Sequence, residues 1–124
     1  MDTEHKLELI LAAADDMKAE SIEHLDVRAK TSIADYFVVC SGTSDRHVQS
    51  IAERIADKLS IEHEKPLRIE GERTGWVLQD YGDIILHVMR DEQRQFYDLE
   101  TLWKNTKPHP DIVDAPNRNL DEVE

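Results

Sequence analysis

The sequence predicts a two-layer α/β (α+β) domain: a mixed β-sheet with helices gathered mainly on one face. Three observations carry this expectation. Tyr36 to Cys40 is a short aromatic and β-branched run bounded by Asp35 and by Ser41-Gly42, which suits a strand buried on both faces. Directly after it, Val48, Ile51, Ala52, Ile55 and Leu59 recur at three- and four-residue intervals, the mark of an amphipathic helix. Across the whole chain the order reads helix, strand, strand, helix, strand, strand, strand, helix, which requires a sheet with mixed strand directions and a covering helical layer.

Taken in order, Leu7, Ile10, Leu11, Ala14 and Met17 make the apolar face of a first helix, with Asp2 or Thr3 as its N-cap. His24 to Val27 alternates, sending Leu25 and Val27 to one side of a short strand, and Ala29 to Ser32 turns into the central strand. Gly42 is expected to let the chain turn sharply through its freedom to adopt positive φ. Thr43, Ser44 and Asp45 can cap the helix that follows. Pro66 opens a short strand through Leu67 and Ile69, closed by Gly71, and Glu70 to Gly75 is a polar loop. Trp76 to Gln79 and Ile84 to Met89 are strands, and Asp80-Tyr81-Gly82-Asp83 between them has hairpin-turn chemistry. Asp91 caps a third helix bearing Phe96, Leu99, Leu102 and Trp103. From Asn105 onward three prolines, scattered charge and no periodicity indicate a disordered acidic tail, so the expected division is a folded domain over 1–104 and a tail over 105–124.

The chain has 124 residues, enough for one domain with a core of its own, and a single cysteine. Cys40 falls inside the apolar strand and reads as a core thiol, not a nucleophile. No apolar run approaches the ~20 residues needed to span a bilayer, and no secretory leader is apparent, so a soluble, reducing, cytoplasmic setting is expected and no membrane partner. With 15 basic against 27 acidic residues the formal net charge is −12. That disfavours direct nucleic-acid binding, which depends on Lys and Arg displacing counterions, and favours a basic protein partner.

Four constellations are candidates for catalysis. Gly42-Thr43-Ser44 at a helix start could hold a phosphate, but lacks the lysine-bearing glycine loop and equally suits a capped turn. Asp80 and Asp83 could share a metal, yet they straddle a hairpin without further convergent carboxylates. The six histidines show no zinc-site spacing. Cys40 with His47 suggests a thiol and its base, but a strand-buried thiol is poorly placed for attack. No cofactor and no metal are expected. Tyr81 at a hairpin tip and Tyr97 off the face of Phe96 look hard to bury, and exposed aromatics of this sort anchor protein interfaces.

The blocks DYFVVCSGTSDRHVQSIA, GWVLQDYGDIILHVM and RQFYDLETLW, in this order and spacing, closely resemble the ribosomal silencing factor (Iojap-like) family from about Leu7 to Trp103. The resemblance implies a small nucleotidyltransferase-like α/β domain without known catalysis. It further implies binding to a basic protein of the large ribosomal subunit, the fourteenth of its series, where the small subunit would otherwise join, so that translation is damped when nutrients are scarce. Nucleotidyltransferases carry two acids one residue apart; here Asp83 is followed by Ile84-Ile85, so the second acid is absent. A metal-dependent nucleotidyltransferase with an atypical site around Ser44 and Asp83 is the alternative, and a homodimer covered through Leu102 and Trp103 a third reading.

Alternation along Ile84 to Met89 sends Ile84, Leu86 and Val88 to one face and Ile85, His87 and Met89 to the other. With helices on the first, the second is expected to be partly open. The expected partner surface is therefore Trp76, Leu78, Asp80, Tyr81, Gly82, Asp83, His87, Met89 and Tyr97. Tyr81→Ala is expected to weaken docking about thirty-fold without unfolding the domain.

Overall fold

The computed structural model describes residues 1–97, and side chains as far as Arg94. Helix α1 (Thr3–Asp16) is capped by Asp2, whose carboxylate accepts from the His5 amide. Strand β1 (Glu20–Asp26) starts earlier than the predicted His24 and stops just before Val27; its first residues Glu20, Ser21 and Glu23 are exposed and gave no apolar signal. Strand β2 (Tyr36–Gly42) is the buried central strand, and α2 (Asp45–Ile61) follows it with Ser44 as N-cap, accepting from the His47 amide. After β3 (Arg68–Glu70) come β4 (Trp76–Asp80) and β5 (Ile84–Arg90), and α3 runs Asp91–Tyr97. The predicted apolar face at Phe96, Leu99, Leu102 and Trp103, and the tail over 105–124, lie outside the described side chains.

The sheet order is β1-β2-β5-β4-β3. Only β2 and β5 are parallel, pairing Tyr36 with Ile84 through Gly42 with Arg90, and every other neighbour is antiparallel. The mixed sheet predicted from element order is thus present, with its two most apolar strands side by side at the centre. Burying the apolar stripes of α1 and α2 against one sheet face builds the main core, which unites Ile10, Ala14, Ile51, Ile55 and Leu59 with Val38, Cys40, Ile84, Leu86 and Val88. Among the described residues no helix is long and apolar enough to cross a membrane.

Gly42 works differently from the sequence expectation. Its backbone is not in the left-handed region. A Cβ there would sit 2.9 Å from both the amide nitrogen and a side-chain carbon of Val48. Close approach of the turn to α2, not turn conformation, excludes a side chain. Gly82 does have φ +90°, as the hairpin reading requires.

The second sheet face is closed, contrary to expectation. Ile85, His87 and Met89 do point away from α1 and α2, but they are 1%, 5% and 0% exposed. Val27 and Ala34, from the connection between β1 and β2, fold onto Phe37, Leu78 and Ile85, while Val39 packs with Trp76 and Met89. Arg94 of α3 also reaches this side, donating to the Ser41 hydroxyl at 2.9 Å. A face rich in large apolar side chains is covered wherever chain is available to cover it.

Candidate functional site

The nine predicted partner-binding residues separate into three groups. Trp76, Leu78, Tyr81, His87 and Met89 are buried, between 0% and 8% exposed. Asp80, Gly82 and Asp83 are half-buried at the end of the β4–β5 hairpin. Tyr97 ends α3, and its side chain lies outside the described part.

Tyr81 is the clearest departure. Although it directly follows β4, its ring turns inward to join the helix-side core. The hydroxyl donates to Gln79 Oε1 at 2.7 Å, and Gln79 Nε2 donates to the Ala52 carbonyl of α2 at 2.9 Å. Both polar groups are therefore satisfied inside the core, and burial raises the Tyr81 phenol above its ordinary range. It is a core residue, not an exposed anchor. Turn propensity marks where the backbone reverses but says nothing about where a turn side chain points.

On the other face Trp76 Nε1 donates to His87 Nδ1 at 3.1 Å. The His87 ring also lies against Phe37, with ring centres 5.6 Å apart. Because Nδ1 accepts this bond, the ring is the neutral tautomer with its proton on Nε2. Burial pushes its pKa down to about 4.

The two aspartates of the hairpin are each engaged within the fold. Asp80 Oδ1 accepts from the Gly82 amide at 2.8 Å, and Oδ2 lies 3.5 Å from Arg68 Nε. Asp83 accepts from the Thr3 hydroxyl at 2.7 Å and pairs with Lys6 Nζ at 2.9 Å; Lys6 also holds Glu64 at 2.9 Å. The Asp83 carbonyl accepts from the amides of Asp35 and Tyr36. This clasp ties the start of α1, the end of the hairpin and the segment after α2 to one point. Burial pushes the Asp83 carboxyl up, but the Lys6 ammonium and the Thr3 hydroxyl outweigh it and hold the group below the usual carboxylate range. The same lysine lowers Glu64. Burial alone would lower the Lys6 pKa, but its two acids raise it instead.

Sequence reading missed Lys6, although a signal was present: it precedes Ile10 and Ala14 at four-residue steps on the buried stripe of α1. It also missed Gln79, read only as the end of a strand.

The remaining chemical candidates are accounted for by the fold. Cys40 is fully buried, and desolvation pushes its thiol up to about 12, so it stays protonated and unreactive. His47 Nδ1 accepts from the Thr43 amide at 2.9 Å and Nε2 bonds the Met17 carbonyl at 2.8 Å, joining the end of α1 to the start of α2. Ser44 is committed to capping. Among the described residues, no three His, Cys, Asp or Glu side chains converge as metal ligands.

Comparison with known proteins gives one consistent result. The family model described as "Ribosomal silencing factor during starvation" matches residues 1–124, continuing past Trp103, where the resemblance of the three blocks ended. Ribosomal silencing factor RsfS of Bacillus subtilis is 38% identical over 122 residues, covering 98% of this chain and 96% of that protein. A more distant mouse relative, "Mitochondrial assembly of ribosomal large subunit protein 1", is 29% identical over 101 residues, 78% of this chain and 44% of that protein. A crystal structure of a Chromobacterium violaceum protein superposes with a TM-score of 0.82 at 33% identity, covering 94% of this chain and 98% of that one. With the family model matched over its whole length and a fold shared with a relative of similar size, the chain belongs to the ribosomal silencing factor family.

Proposed function

We propose that this chain silences ribosomes by binding the large subunit on the side where the small subunit docks, and that it acts by occupying space without catalysing a reaction. The observation that carries this reading is the match of the entire chain to the silencing-factor family. The mouse relative's name, which refers to large-subunit assembly, supports the choice of subunit. The family resemblance points to a basic ribosomal protein, the fourteenth of the large-subunit series, as the direct partner, and a net charge of −12 suits such a surface. A protein that acts by exclusion needs affinity and position only. The engagement of Ser44 as a cap and of Asp83 by Thr3 and Lys6 is consistent with that.

The proposed docking surface is the hairpin end, where Asp80, Gly82 and Asp83 offer half-buried polar contacts, together with Tyr97. Trp76, Leu78, Tyr81, His87 and Met89 then serve it from within, holding the hairpin in shape. Asp80 is the better probe, since Asp83 is needed by the clasp. Asp80→Asn keeps an acceptor for the Gly82 amide and removes the charge together with the long, solvent-screened pair to Arg68, which contributes little to stability. The expected outcome is an unchanged melting temperature, with slower association to the large subunit and a weaker dependence of that rate on salt. Equal rates at low ionic strength would remove Asp80 from the surface.

The reading as a whole is tested by subunit reassociation. Purified protein in excess over large subunits is expected to deplete the joined-ribosome peak in a sucrose gradient and to migrate with the large subunit. An undiminished peak rejects it.

A further inference from the structure

We propose that the pocket between the start of α2 and the loop from Gly71 to Gly75 binds a small phosphate monoester on a hydroxylated body, of the size of a pentose phosphate. The pocket measures about 400 Å³ and is lined by Asp45, Arg46, Gln49, Ser50, Glu53 and Arg73. It opens beside the first residue of β4, whereas the hairpin of Asp80 to Asp83 follows the last. The site is therefore separate from the docking surface proposed above and does not depend on the ribosomal reading.

The charges point to an anion. Seven arginines have described side chains. Arg28, Arg54, Arg68, Arg90 and Arg94 each reach a carboxylate. Arg46 and Arg73 are the two whose guanidinium has no such partner among the described residues, and both line this pocket. With 27 acidic residues in the chain, carboxylates are abundant, so two unpaired guanidiniums on one pocket are a feature that a ligand explains. The pocket's own acids are engaged by contrast. Asp45 Oδ1 lies 3.4 Å from Arg90 Nη1, and Glu53 accepts from Gln49 Nε2 at 3.1 Å. What is left without a counter-charge is cationic.

Arg73 is held there in an unfavourable conformation. Its φ is +64°, a left-handed backbone that glycine or asparagine adopts more readily. Lys18 and His63 share that conformation, but they stand just past the caps of α1 and α2, where it is usual. Arg73 ends no helix. Its amide donates to Gln49 Oε1 at 2.6 Å, and the Thr74 hydroxyl donates to the Gly71 carbonyl at 2.6 Å. The loop is thus fastened to α2 and to itself, with the arginine presented on it. A strained residue that the surroundings hold in place is a pointer to function.

The ligand's chemistry follows from the lining. A guanidinium fork bonds two phosphate oxygens at once, with charge assistance. No residue lining the pocket is aromatic or aliphatic, so it offers no surface for a nucleobase or an acyl chain. Ser50, Asp45 and Glu53 can instead accept from hydroxyl groups. A volume near the lower end for ligand pockets limits the body to sugar size.

Calorimetric titration of the full chain with ribose 5-phosphate, inorganic phosphate and ribose, in phosphate-free buffer, tests this. Ribose 5-phosphate is expected to bind with a dissociation constant in the millimolar range or below, and more tightly than either fragment. Arg73→Gly suits the left-handed backbone and removes the guanidinium, so it is expected to stay folded and to bind about ten-fold more weakly or worse. Arg46→Gln is expected to weaken binding to a similar extent. Arg54→Gln, outside the pocket, is expected to bind as the parent does. Absence of saturable heat from ribose 5-phosphate overturns the proposal, and so do Arg46 and Arg73 variants that bind like the parent. Inorganic phosphate binding as tightly as the sugar phosphate overturns it too, since the hydroxyl contacts would then contribute nothing. A short RNA that saturates the chain where ribose 5-phosphate does not would overturn it and assign the two arginines to a nucleic-acid backbone.

Discussion

Tyr81→Ala is expected to destabilise the domain by about 3–5 kcal/mol, the usual cost of emptying a large aromatic site in a packed core. The ring is 6% exposed and belongs to the core under α1 and α2. Its hydroxyl is also the donor that satisfies Gln79 Oε1. Truncation therefore leaves a cavity and a buried acceptor with its donor removed, and both effects act in one direction. Small domains are typically stable by about 5–15 kcal/mol, so this one change can consume about a fifth or more of the total. Tyr81→Phe separates the contributions: it keeps the packing, loses the hydroxyl, and is expected to cost about 1 kcal/mol. Denaturant unfolding of the three proteins decides it, and an alanine variant within about 0.5 kcal/mol of the parent would show that Tyr81 is not a core residue. Any loss of ribosome binding in that variant should be read only under conditions where it remains folded.

Acidification supplies the second large effect, through His87. Burial holds its pKa near 4 in the fold, against about 6.5 for an exposed imidazole. Below pH 6.5 the unfolded chain gains a proton that the folded chain refuses, so stability falls as pH drops. The loss accumulates from about 6.5 down to about 4 and then levels off. Each pKa unit corresponds to 1.36 kcal/mol, which gives a total of about 3 kcal/mol over that window. Asp83 and Glu64 add a separate loss at lower pH, because their folded-state values are depressed and their contribution disappears as the carboxylates protonate. His87→Asn distinguishes the two. Its amide oxygen can accept from Trp76 Nε1, but the side chain no longer titrates. At pH 7.5 it is expected to be somewhat less stable than the parent, having lost ring packing against Phe37. Between pH 6.5 and 4.5 its stability should be nearly flat while the parent's declines. Parallel slopes for both proteins would exclude His87 as the source.

His87 and Tyr81 show how far local pattern reaches. The alternation Ile84, Leu86, Val88 against Ile85, His87, Met89 was readable and correct, because side chains on any strand alternate between faces. Whether the second face stayed open was not readable, since Val27 and Ala34 come to cover it from far along the chain. The hairpin Asp80 to Asp83 was likewise evident from its turn residues, whereas the inward direction of Tyr81 depended on Gln79 and Ala52 being positioned to receive it. The Lys6, Glu64 and Asp83 clasp joins residues 77 positions apart, and nothing local signals such a pairing. The position of Ile69 in the outermost described strand also needed the strand order, because an apolar residue in a short strand looks the same in a central strand as at an edge.

By itself the sequence determined the elements, the apolar faces of α1 and α2, the central strand and its capped turn, and the family. Each of these is written in residues close together along the chain, where periodicity and capping act without help from the rest of the molecule. Tertiary structure alone decided that β2 lies parallel to β5, that both sheet faces are closed, that Tyr81 is core and Asp83 is clasped, and that β3 ends the order of the described strands. These outcomes depend on contacts between distant segments, whose free energy is gained only when the whole domain assembles.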